Sequence, residues 1–514
     1  MTNKKNQQLE RGMGILLPIS ALPSPYGIGT LGKEGYEFAD FLKRTGCKYW
    51  QVLPVGPTSF GDSPYQSFSA FAGNPYFIDL DYLVEEGLLT KEELDKYQCS
   101  SKKDDIDYAE LYKERFKVLR KAYEKSNHKD KNSYKEFCDE NSYWIHNYSL
   151  YMAIKTSHNN KEWSLWEDDI KYRKKNAILK YETELKNEID FWKFCQYKFK
   201  SQWDNLKEYV NGLGIQIIGD IPLYVALDSS DVWVDSDLFE LDERRKPIHI
   251  AGVPPDNFSE DGQRWGNPLY RWDVMERSNF NWWRERMKVN SMLYDVIRID
   301  HFIGIVNYYS IPEESKTAAI GSWVTGPGKK LTDAIGESIG NAKIIAEDLG
   351  VLTPNVKELI ETTGYPGMKI IEFGLYGPWD NDYLPHNFKK SNIVAYTGTH
   401  DNETLVGFLR NRTNEELESL YLYFNVTTMD ELPDAIIRSL YGCIADVTIV
   451  QMQDLLKLDN NARMNFPSTV GSNWKWRLLK EQYNEINEEN LLLLARIYNR
   501  YKAEDNQIEE DRVL

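Results

Sequence analysis

The sequence predicts an α/β fold, a TIM (β/α)8 barrel, on three observations. Eight short apolar runs rich in β-branched residues recur along the chain, helix-length segments separate most of them, and three of the later ones lead into a carboxylate. Short runs without polar alternation mark parallel strands covered on both faces. In a closed ring of such strands the C-terminal ends open onto one pocket, so acids placed there meet.

The elements follow in chain order. Gly14 to Ile19 reads as the first strand, Leu31 to Gly46 as a helix and Tyr49 to Val55 as the second strand, one β-α-β unit. The next loop, Gly56 to Tyr76, is rich in Gly, Pro, Ser and aromatics, the composition of a loop that carries a site. From Asp81 to Asn205 there is no proline and a single glycine, Gly87, and Tyr108, Tyr112, Phe116, Leu119 and Tyr123 recur at helical spacing, as do Trp192, Cys195, Phe199 and Trp203. Residues 77–205 are therefore read as a mainly helical insertion after strand 2. Strands resume at Gly214 to Ile218, then 295 to 300, 343 to 347, Met368 to Phe373, Ile393 to Tyr396 and Val447 to Gln451. A second, loop-rich insertion is expected over 228–290, after strand 3, and the whole chain, 1–514, is read as one barrel.

Composition narrows the function. A net charge of −17 opposes nucleic-acid backbones and anionic membrane surfaces. The 15 Trp and 33 Tyr suit stacking on flat, hydroxyl-rich ligands. Five cysteines, odd in number and without a C-x-x-C pair, fit reduced thiols, and the first residues lack the apolar core of an export signal, so a cytoplasmic protein is expected.

Two tempting patterns fail on context. Gly27-Ile28-Gly29-Thr30-Leu31-Gly32-Lys33-Glu34 satisfies G-x-G-x-x-G, but Ser24-Pro25-Tyr26 separates it from its strand and Glu34 stands where a phosphate loop needs Ser or Thr. His301 and His400 flank the acids without forming a metal pattern, so no cofactor and no metal are expected.

The acids are Asp300, Glu347 and Asp401. Asp300 closes Val296-Ile297-Arg298-Ile299, Glu347 closes Lys343-Ile344-Ile345-Ala346, and Asp401 follows Asn392 to Tyr396 through Thr397-Gly398-Thr399-His400. Arg298, two residues before Asp300 on the same strand face, is expected to keep that carboxylate ionised. Glu347, facing two anions, is expected to hold its proton. An ionised carboxylate beside a protonated one is the pair that glycoside chemistry requires. Alternation alone does not choose between Glu347 and Asp348, which point to opposite faces.

At these residues the chain resembles the 4-α-glucanotransferases of glycoside hydrolase family 77. The resemblance rests on Leu53-Pro54-Val55-Gly56-Pro57-Thr58, Gly61 to Gln66, Gly219-Asp220-Ile221-Pro222, Gly252 to Asp256, Gln263 to Pro268, Arg298 to Phe302, Ala346 to Gly350, Thr399 to Asn402, Gln453 to Leu456, Ala462 to Asn465 and Asn473 to Arg477. It implies that Asp300 is the nucleophile, Glu347 the general acid/base and Asp401 the transition-state stabiliser. It further implies that Tyr65, Asp220, Trp265, Arg298, His301 and His400, with Ser63, Gln263 and Asp348, bind sugar, and that the loop from Gly252 to Arg264 covers the cleft. The implied partners are α-1,4-glucans and maltooligosaccharides, acted on by a monomer or homodimer. Departures from the family pattern are Asn257 where many relatives have Tyr, Ile303 where many have Arg, and Phe466-Pro467-Ser468 where Thr-Pro-Gly is frequent.

Overall fold

A computed structural model of the chain describes residues 7–59, 61–97, 103–255, 260–350 and 352–501. Eight parallel strands form its centre: β1 (Gly12–Leu16), β2 (Tyr49–Gln51), β3 (Gln216–Ile221), β4 (Val296–Ile299), β5 (Lys343–Ala346), β6 (Gly367–Ile370), β7 (Ile393–Tyr396) and β8 (Val447–Gln451). Their spatial order is β6-β7-β8-β1-β2-β3-β4-β5, so each strand lies beside the next in sequence and β8 returns to β1, as a barrel requires. Isoleucines and valines of these strands, among them Ile217, Ile297, Ile344, Val394 and Ile449, are buried, which accounts for the uninterrupted apolar runs.

One seam is closed differently. Among the described residues no strand ladder pairs β5 with β6. Instead the Ala346 N–H donates to the Pro366 carbonyl at 2.9 Å, and the Met368 N–H donates to the Asp348 carboxylate at 2.7 Å. A side chain thus supplies the acceptor that a neighbouring strand supplies elsewhere. It fits because residue 367 is glycine: a Cβ there would lie 2.4 Å from an Asp348 oxygen.

Strand ends differ from the expected ones for local reasons. β2 stops at Gln51, ahead of Pro54, which has no N–H for a ladder. β6 stops at Ile370 because the chain tightens into a 3-10 turn over Ile371–Gly374. The insertion after β2 is helical where it is described, with helices such as Tyr108–Lys125 and Ile145–Ser157. Its last, Lys186–Gly212, runs 27 residues into β3 and buries Trp192, Cys195, Phe199 and Trp203.

The second insertion departs from its loop-rich reading. His249–Val253 and Gln263–Pro268 pair antiparallel, and with Asn307–Pro312 and Ser322–Thr325 they make a four-stranded sheet. Gly252, Pro254, Pro255, Gly262 and Gly266 break the alternation that would have marked the first two, and the other two follow β4 rather than β3. Its expected end at 290 also moves: Asn281–Leu293 is a barrel helix leading into β4.

Replacing Asp348 with Ala strands the Met368 N–H at the seam. We expect a loss of about 1–3 kcal/mol, the usual cost of an orphaned donor, read as a lower melting temperature by calorimetry, with Asp348→Asn losing less because its amide oxygen still accepts.

Candidate active site

The site is built on a buried ion pair. Register places Asp220 of β3 directly beside Arg298 of β4, and the arginine Nη1 donates to both carboxylate oxygens at 2.7 and 2.6 Å. Neither side chain keeps more than 4% of its exposure, so each charge depends on the other for the solvation it has lost.

The other guanidinium nitrogen, Nη2, faces the pocket, 3.0 Å from Asp300 and 4.0 Å from Glu347. Arg298 therefore divides its charge among three acids, and its share at Asp300 favours the carboxylate, as expected. Burial raises the Asp300 pKa, and Arg298 offsets that only in part. Glu347 is raised further, by burial and then by the negative charge of Asp300. The expected order survives: Glu347 keeps its proton to higher pH than Asp300, as two carboxyls in one pocket must differ.

His301, next in the chain after Asp300, has φ of 52°, in the left-handed region. That turn aims its backbone N–H at Glu347, whose Oε2 accepts it. The imidazole packs edge-on against Trp265, with ring centroids 4.8 Å apart. Its buried Nε2 has no partner, and burial lowers its pKa to about 4, leaving a neutral ring with hydrogen-bonding capacity to spare.

On the opposite wall, proton counting fixes a chain of contacts. Tyr65 donates its one hydroxyl proton to Asp220 at 2.7 Å, so at 3.2 Å it accepts from His400 Nδ1. The Nε2 of His400 then faces Asp401 at 3.3 Å. Burial works against a charged His400, but the Asp401 charge and hydrogen bond outweigh it and raise the pKa, which favours the imidazolium. The surrounding protein likewise disfavours charge on Asp401; His400 and an Asn465 amide at 2.6 Å overcome this and hold it at about 2. The Asp401 side chain keeps 47% of its exposure, an anion open to the cleft. Arg463 fixes its backbone by donating to its carbonyl at 2.6 Å.

The remaining expected residues are Ser63, Gln263 and Asp348. Ser63 accepts the Tyr65 N–H at 3.2 Å and shapes that turn. Gln263 accepts from the Trp265 indole at 3.1 Å and sets its angle. Asp348 accepts the Met368 N–H at the seam, and its charge lies near enough to Glu347 to help raise that residue's pKa. The root of the expected covering loop reaches the site through Trp265, while residues 256–259, Asn257 included, lie outside the described residues. Among the described residues no group of His, Cys, Asp and Glu is arranged to hold a metal ion.

Comparison with known proteins places this geometry. A family model described as 4-alpha-glucanotransferase, glycoside hydrolase family 77, matches residues 17–482. The chain belongs to this 4-alpha-glucanotransferase family. A 4-alpha-glucanotransferase of Clostridium butyricum is 50% identical over 484 residues, 94% of this chain and 99% of that protein. One of Thermus thermophilus is 42% identical, over 92% of this chain and 95% of that protein. The structure of amylomaltase from Streptococcus agalactiae in complex with acarbose superposes with a TM-score of 0.92 at 42% identity, covering 96% of this chain and all of that one.

Three residues of this family 77 chain escaped the sequence reading: Asn465 and Arg463, which hold Asp401, and Trp474, whose ring lies 5.7 Å from His400 and 5.8 Å from Tyr65. All three lie in the C-terminal stretches that carried the resemblance, but nothing in their spacing tied them to an acid some sixty or seventy positions earlier.

Burial of Glu347 has a stability consequence. Its folded pKa lies above that of an ordinary glutamate, so folding binds the proton more tightly; stability is full below the ordinary value and falls as pH rises through the folded pKa. Glu347→Gln removes this titration. Its melting temperature is expected to exceed that of the parent at pH 9 by about 2 °C, with a smaller gap at pH 5, by calorimetry at both.

Proposed function

We propose that this chain is a retaining 4-α-glucanotransferase that moves α-1,4-glucan segments to the 4-hydroxyl of an acceptor glucan or glucose. The observation that carries the proposal is the unequal carboxyl pair within reach of one guanidinium nitrogen. A close pair is what retention needs, at about 5–5.5 Å, whereas inversion leaves room for water between the groups.

In the first half-reaction Asp300 attacks the anomeric carbon while Glu347 gives its proton to the departing glycosidic oxygen. Arg298 stabilises the Asp300 carboxylate before attack. As Glu347 becomes an anion, the His301 N–H already points at the new charge. Asp401, kept ionised by His400 and Asn465, accepts hydrogen bonds from ring hydroxyls as the oxocarbenium character develops. Tyr65, His400, His301 and Trp265 supply hydroxyl contacts and a stacking wall. In the second half-reaction the acceptor 4-hydroxyl gives its proton to Glu347 and attacks the glycosyl-Asp300 ester, which restores both carboxyls. Two inversions leave the α-configuration, and no cofactor takes part.

A hydrolase of the same barrel would use the same acids; the transferase name carried by relatives 42% to 50% identical favours transfer. No helix among the described residues is long and apolar enough to cross a membrane. Cys47, Cys138, Cys195 and Cys443 are free, which supports a reducing, cytoplasmic setting.

Maltotriose is the deciding substrate. Transfer yields glucose together with a ladder of longer oligosaccharides by chromatography; new reducing ends without longer products would point to hydrolysis. Asp300→Asn is expected to lose at least about 10⁴-fold in kcat with its melting transition retained.

The rate should follow a bell in pH, its acid limb set by protonation of Asp300 and its basic limb by loss of the Glu347 proton. Asp401→Asn removes a negative charge that raises the Asp300 pKa, so beyond its lower rate its acid limb should move to lower pH in a kcat/KM profile.

A further inference from the structure

Beyond the carboxyl pair, the wall on the Glu347 side carries aromatic surface that the chemistry does not use. β6 leads into a loop, residues 371–388, that rises from the C-terminal face of the barrel. Its inner part adjoins the site: Phe373 meets Tyr383 edge-on at 5.5 Å, and burial with the nearby charges of Asp348 and Glu347 pushes the Tyr383 hydroxyl up to about 12. Asn381 ties the loop back by donating to the Phe373 carbonyl at 3.4 Å.

The outer part of the same loop exposes two large rings. Tyr376 is 50% exposed and Trp379 40%, although an exposed indole gives up a substantial hydrophobic gain. Both are braced from behind. The Trp379 ring stacks on Tyr423 with centroids 5.0 Å apart and planes 15° apart. Tyr423 is in turn held edge-on by Phe424 at 4.6 Å and bonded to His386 Nδ1 at 2.7 Å, while His386 Nε2 and the Asn387 amide both reach the Trp379 carbonyl. Tyr376 meets Phe408 edge-on at 5.1 Å, and the Arg412 guanidinium lies 4.5 Å from its ring. Rings fixed on one side and open on the other lose little entropy when a flat ligand stacks on them.

We propose that Trp379 and Tyr376 form an outer stacking platform for the α-1,4-glucan on the leaving-group and acceptor side, beyond the glucose units held at the carboxyl pair. The proposal rests on the glucanotransferase reading, because that reading places the leaving and entering chain on the Glu347 side. Continuity of the loop with that wall selects the occupant: a chain that passes Glu347 and continues outward meets Tyr383 and Phe373 and then the exposed rings. Close by in the chain, Asp382 and Lys389 form an exposed ion pair at 3.1 Å.

The test uses the full chain with maltotriose and maltoheptaose. Trp379→Ala should raise KM for maltoheptaose about five- to tenfold more than KM for maltotriose, the effect of one lost stacking contact, while Trp379→Phe keeps the ratio near the parent's. In a Glu347→Gln background, maltoheptaose should bind with a Kd weakened by a similar factor when Trp379→Ala is added, read by calorimetry on proteins of matched melting temperature. An unchanged KM ratio and Kd, or an equal loss on both sugars, overturns the platform. A parent enzyme that makes no ladder from maltotriose overturns the function reading instead, so the two failures are distinguishable.

Discussion

Arg298 is the constraint on which the rest of the site depends. A guanidinium with 4% exposure must be surrounded by acceptors, and the barrel supplies them asymmetrically: Asp220 takes one nitrogen fully, and the pocket acids share the other. One Asp220 oxygen also accepts from Tyr65, the Tyr65 oxygen in turn accepts from His400, and His400 has its other nitrogen for Asp401. One buried charge thus connects groups on β3, β4, the β2 loop and the β7 loop. Removing it would leave Asp220 as an uncompensated buried anion, so this pair is as much a matter of folding as of chemistry.

Unequal proton affinity between Asp300 and Glu347 emerges from that arrangement without any special residue. Both are raised by burial, and they differ because Asp300 lies closer to the shared nitrogen while Glu347 also feels the charge of Asp300. Asp401 stands apart because its environment is cationic and partly wet. Three carboxylates at equivalent strand ends thereby acquire three different affinities for a proton, which is the condition for giving them three different tasks.

The strands were legible because their burial on both faces leaves a simple trace, four to six apolar β-branched residues in a row. Helices of the first insertion were legible by period and by the absence of proline. The four-stranded antiparallel sheet was not, since its strands straddle β4 and contain the glycines and prolines that punctuate loops. Asp300, Glu347 and Asp401 stood out by position at strand ends. The Asp220 partnership of Arg298 could not be read, because it joins residues 78 positions apart through a register that only the closed ring defines. The contact by which Asp348 completes the seam between β5 and β6 was hidden for a related reason, since seams are invisible in one dimension.

The left-handed turn at His301 gives Glu347 a donor that belongs to the main chain. A main-chain N–H survives replacement of every side chain except proline, so mutation cannot easily delete this contact from the acid/base residue. What mutation can do is change how readily the backbone holds the turn. Positive φ is costly for bulky and β-branched residues and mild for glycine, asparagine, aspartate and histidine. Position 301 is therefore open to a short alphabet set by backbone conformation, and within that alphabet only histidine also brings a ring to the pocket. A substitution at this site meets two demands, a backbone turn that small and Asx-like residues adopt at least cost and a pocket ring that histidine alone among them supplies.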